Sequence, residues 1–123
     1  MPQEATDALH EVLQGETAAE VPAGSRAITV GLIAPAYEGA GDYGNAVGAW
    51  GFAADLHEEA GEAEGQAHAL VQQGRHLGNF AEFDDAVLAF DTAISLIRGS
   101  EDQVGLLAEA LHLLAQAKMQ RGD

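Results

Sequence analysis

The chain has 123 residues, no Cys, and 20 acidic against 5 basic side chains, for a formal charge of −15. One Lys and four Arg leave no basic patch to neutralise phosphates, which excludes nucleic acid and anionic membranes as partners and favours neutral or basic proteins. Hydrophobic residues make up 47% of the chain, and 25 of them are Ala, enough for one core built by close helix approach and too many for an unfolded chain.

Six helices are expected, near residues 3–14, 26–40, 43–59, 62–79, 83–98 and 101–121. The first carries Ala5, Leu9 and Val12 on one stripe. Glu16 to Gly24 reads as a linker closed by a Pro-x-Gly turn signal. The second helix contains the β-branched run Ile28-Thr29-Val30-Gly31-Leu32-Ile33, and Pro35 removes the bond to the Gly31 carbonyl, which predicts a kink. The third places Ala46, Trp50 and Ala53 on one stripe, and the fourth does the same with Leu70, Gln73, Gly74 and Leu77. In the fifth, Asp84 and Asp85 put negative charge in the first turn, where the helix dipole favours it. Ser100 followed by Gln103 fits a capping box at the start of the sixth.

The elements repeat. Gly41-Asp42-Tyr43, Ala81-Glu82-Phe83 and Gly122-Asp123 are equivalent turns, spaced by about 40 residues. After the first turn come Ala46, Trp50 and Ala53, and after the second Ala86, Phe90 and Ala93, small, aromatic and small at steps of four and three. Before the turns, Val30, Ile33, Ala34 and Tyr37 align with Leu70, Gln73, Gly74 and Leu77, and with Leu111, Leu114, Ala115 and Lys118. Ala5, Leu9 and Val12 stand 41 residues before Ala46, Trp50 and Ala53.

This pattern resembles the tetratricopeptide repeat (TPR), whose mark is a Leu-Gly or Leu-Ala pair and an aromatic on a first helix, a turn, and Ala-x3-Phe-x2-Ala on a second. The period of about 40 is similar to the long-helix subclass of kinesin light chains and many bacterial arrays. Gln73 and Lys118 stand where the family has apolar or aromatic residues, and Glu58 or Arg98 where it closes a repeat with Pro. The resemblance implies an all-α, right-handed solenoid of about six antiparallel helices forming a single domain over 1–123, with a partial repeat at 3–14, repeats at 26–59 and 62–98, and a partial repeat at 101–121. It also implies a non-enzymatic scaffold that holds a peptide or protein segment in the groove formed by successive first helices. Projected onto this chain, the groove carries His68, Val71, Gln72, Arg75 and Asn79, then Glu109, His112, Gln116, Met119 and Gln120, with Gly31, Pro35 and Glu38 from the second helix. The Lys/Asn/Arg carboxylate clamp of chaperone-binding members is missing, so chaperone tails are disfavoured.

Other motifs give way to this reading. Gly39-x-Gly41-x-x-Gly44 matches a dinucleotide fingerprint, but five residues separate the apolar run from the first Gly and no second βαβ unit exists. A tight helix-helix turn explains the glycines better, and a nucleotide-binding protein is the less favoured alternative. The five histidines include no pair at one-turn spacing, so neither metal nor cofactor is expected. Trp50 and Phe90 are core residues by register, and the terminal Arg121-Gly122-Asp123 is the repeat's own turn. No apolar run is long enough to span a membrane and the acidic start has no signal-peptide n-region, so with zero Cys the expected location is cytoplasmic. In the sixth helix Leu106, Leu107, Leu111, Leu113 and Leu114 exceed what one neighbour covers, so a homodimer through an uncapped end, or a purely structural assembly role, is the second expectation.

Overall fold

The computed structural model describes Asp7 and residues 21–123, and among these the chain is all-helical, with no strand. Five α-helices follow one another: α1 (Ala23–Gly39), α2 (Tyr43–Glu59), α3 (Ala63–Asn79), α4 (Phe83–Ile97) and α5 (Val104–Arg121). A short 3-10 turn, Glu101–Gln103, precedes α5. Apart from Asp7, the helix expected over 3–14 and the linker residues before 21 lie outside the described residues.

Two boundaries differ from expectation. The Pro-x-Gly signal opens α1 rather than closing a linker: Pro22 is extended, its carbonyl accepts from the Arg26 amide at 3.0 Å, and Gly24 lies inside the first turn. Proline's fixed φ and missing donor suit a helix entrance, where the N–H would be unused. Pro35, by contrast, removes one rung from α1 without ending it. Ser100 makes no side-chain cap, and the expected capping box does not form. The 3-10 turn delays α5 to Val104, and Gln103 instead donates across the molecule to Glu64 at 3.2 Å.

The turns show why the helices run back alongside one another. Each of the first three connections has three residues, and in each the middle one is left-handed: Gly41 (φ 76°), Gly61 (φ 74°) and Ala81 (φ 61°). The last amide of each connection donates to a carbonyl five residues back: Asp42 to Tyr37, Glu62 to His57 and Glu82 to Leu77, at 2.8 to 2.9 Å. This closes the carbonyls orphaned at a helix end. The C-terminal Gly122 (φ 100°) repeats the device, with Asp123 donating to Lys118 at 2.9 Å. The turn therefore recurs after every helix of α1 to α3, at half the period read from the sequence, because all three helices are 17 residues long.

Each helix packs mainly on its neighbours in sequence, with α3 also touching α5. One core cluster joins α1 and α2 around Tyr37, Trp50 and Ala46; others join α3, α4 and α5 around Val71, Phe90 and Ile97. The two small-aromatic-small stripes are buried as their register requires: Ala46, Trp50 and Ala53 on α2, and Ala86, Phe90 and Ala93 on α4. Helices approach closely at Gly74, where a Cβ would stand 2.6 Å from the Phe90 ring.

Candidate functional site

On α3, His68, Gln72, Arg75 and Asn79 follow one helical stripe, and on α5 Glu109, His112, Gln116 and Met119 follow another. The two stripes meet through an ion pair between the Arg75 guanidinium and the Glu109 carboxylate, while Arg75 also donates to Gln72 at 3.4 Å. The guanidinium expected to serve the groove is thus held by the chain's own acid, and its charge is shared before any partner arrives. His112 and Met119 are exposed, Met119 to 75%. His68 sits farther along α3 with its ring edge-on to Trp50, centroids 5.7 Å apart. Partial burial, followed by the charges of His57 and Arg75, holds its pKa below the ordinary histidine value.

Val71 does not belong to this surface. It is fully buried among Ala67, Ala93, Ile94, Ile97 and Ala110, because one residue before Gln72 the helix has already turned toward α4 and α5. The open face therefore has fewer apolar groups than the repeat register implies.

A polar cluster that the repeat pattern does not reveal links α1, α2 and α3. The Glu38 carboxylate accepts from Trp50 Nε1 at 3.2 Å and makes a short contact with His76 Nε2, and Tyr43 stacks on the His76 imidazole at 5.5 Å. His76 is largely buried, and its hydrogen bond to Glu38 satisfies Nε2 of the ring. Forty residues later the corresponding positions hold Gly78 and Phe90, and on α5 the position of His76 is taken by Ala117. None of these carries a polar side-chain group. Where the first set of helices is filled by a carboxylate, an indole and an imidazole, the second leaves a cavity of about 100 Å³, lined by Gly78, Phe90 and Ala117 and rimmed by Arg75, Asn79, Gln116 and Gln120. The cluster occurs once among the described residues, so a search for periodicity passes over it. Its only sequence signal is that departure from the repeat.

Arg75, Asn79 and Gln116 are therefore brought to one cavity, with Glu109 and Gln72 tied to it through Arg75. His68, His112 and Met119 do not line it. Of the residues offered by α1, Glu38 is engaged with Trp50 and His76, and Pro35 is exposed. A second opening, of about 360 Å³, lies at the end of α3 between Tyr43, His76, Asn79 and Phe80, so Asn79 borders both.

The other motifs are accounted for by local structure. The run before Gly39 is helical, and Gly39, Gly41 and Gly44 span the end of α1, the turn and the first turn of α2, so no strand feeds the glycine loop. The terminal Arg121 is held by Asp123 and by Asp84 at 3.1 Å, and these bonds raise its pKa and lower that of Asp123. Among the described residues, no three His, Asp or Glu side chains gather as a metal site, and no helix is long and apolar enough to cross a membrane. In comparisons with protein-family models, curated proteins and solved structures, the chain has no significant match.

Proposed function

We propose that this chain is a non-enzymatic protein-interaction module, a TPR-like solenoid that holds an extended peptide or protein segment along α3 and α5. The reading is supported by helices that pack on their sequence neighbours, by three-residue turns of one geometry, and by small-aromatic-small stripes buried in equivalent places. The observation that carries the binding role is the unfilled slot at Gly78, Phe90 and Ala117, ringed by the amides of Asn79, Gln116 and Gln120. Amide side chains there offer donors and acceptors to a peptide backbone, while the cavity takes a small side chain. The −15 field favours neutral or basic segments and speeds their encounter at low salt.

Filling the slot tests the reading. A Cβ on Gly78 meets no atom of another element within 4 Å, so the side chain of Gly78→Leu starts into open space. Peptides selected from a random display library on the immobilised protein should lose binding to Gly78→Leu and to the double variant Arg75→Ala/His112→Ala, with folding preserved. Libraries that yield no binders, or binders indifferent to both variants, would refute the proposal.

A second reading is favoured by α5, although not by the leucines expected: Leu106, Leu107, Leu113 and Leu114 pack against the core, whereas Val104, Ala108, Leu111, Ala115 and Met119 form an exposed apolar stripe on a helix nearly free of acids. A stripe of this kind suits self-association. Light scattering on the wild type and Leu111→Lys distinguishes it: a concentration-dependent dimer abolished by the substitution supports it, and a monomer throughout removes it.

A further inference from the structure

The opening at the end of α3 has a chemistry distinct from the slot beside it. Tyr43 and Phe80 are both large aromatics, yet they are 47% and 50% exposed. With the His76 ring and the Asn79 amide they line about 360 Å³ of open space. Both stand at helix ends: Tyr43 begins α2 beside the cap residue Asp42, and Phe80 is the residue that caps the end of α3. One carboxylate stands at the opening: Glu38 contacts the His76 ring directly, and its side chain is 26% exposed. Among the described residues, no Lys or Arg lines the opening.

Aromatic faces with a carboxylate beside them attract a positive group, because the ring quadrupole and the acid act in the same sense. We propose that this pocket receives a cationic side chain, an arginine or lysine of the bound segment, between Tyr43 and Phe80. The inference rests on the peptide-binding reading above and adds to it an aromatic anchor for a cation at the end of α3. Asn79 borders both spaces, so a strand lying across the end of α3 reaches the slot with one residue and the pocket with another.

The test uses the intact protein and a small probe. N-acetyl-arginine methylamide and its neutral citrulline analogue are titrated at low salt while NMR signals of Tyr43, Phe80 and His76 are followed. The arginine probe should give saturable shifts at these three residues, the citrulline probe should bind about fivefold more weakly, and Phe80→Ala should weaken the arginine probe by a similar factor. Equal response to both probes, shifts spread over the acidic surface and unchanged in Phe80→Ala, or no response at all would overturn the proposal. Phe80 does not line the slot at Gly78, so the two readings fail separately. Library peptides that bind yet ignore Phe80→Ala and an Arg-to-citrulline exchange leave the groove standing and remove the anchor. An arginine probe that binds where no peptide does leaves the anchor and removes the groove.

Discussion

Ala81 occupies the left-handed position that Gly41 and Gly61 hold in the preceding turns. For a residue with a Cβ that conformation costs roughly 1–2 kcal/mol, and glycine's larger unfolded-state freedom returns part of the difference. Ala81→Gly should therefore stabilise the fold by about 0.5–1 kcal/mol in denaturant titrations, and Gly61→Ala should destabilise it by a similar amount. Gly74 answers to a different constraint. A methyl group there would stand 2.6 Å from the buried ring of Phe90, so the ring must shift from its packed position to admit it. Gly74→Ala should lower stability by about 1–2 kcal/mol, after the gain in helix propensity, although Ala34 tolerates the equivalent place on α1. His68 carries the pH dependence of this region. Its folded pKa is depressed, so as pH falls below about 6.5 the unfolded chain binds the proton first and stability drops, levelling once pH passes the folded value. His68→Gln should flatten that part of the stability profile.

At the scale of elements, the contact between α3 and α5 is maintained at the surface by Arg75 and Glu109, whose side chains are 40% and 39% exposed. Pairs this exposed contribute roughly 0.2–1 kcal/mol and are screened by salt. Arg75→Ala should cost no more than that in a thermal melt while removing peptide capture, a separation that a purely structural role would not give. The turns and buried stripes of these elements were legible in the sequence because each depends on local chemistry: a positive-φ residue after a helix, an acid at its first turn, a small residue facing an aromatic. The starts of α1 and α5 were not. Pro22 and Ser100 each carry two compatible local meanings, and the path of the chain over its neighbours selects between them.

Over the whole molecule, −15 charges stand on a chain with five basic residues, two of which, Arg75 and Arg121, are paired with the chain's own acids. The excess repels itself in the compact state. Added salt should therefore raise the melting temperature from low ionic strength to about 0.5 M, where the screening length is only a few ångströms, while slowing capture of basic segments. A melting temperature flat across that range would mean that the acids are too dispersed to strain the fold.

Composition, register and turn residues determined by themselves that the chain is helical, where α2 lies, and which aromatic faces which small residue, because helix formation and stripe burial follow from contacts within a turn or between adjacent helices. The tertiary structure decided what the side chains on those helices meet. Val71 turns inward and Arg75 meets Glu109; Glu38 finds Trp50 and His76 across three helices, and the places of that trio hold no polar side chain one repeat later. These are encounters between residues as many as 38 positions apart that do not recur along the described chain, so no period announces them, and they place the slot and the aromatic pocket at the end of α3.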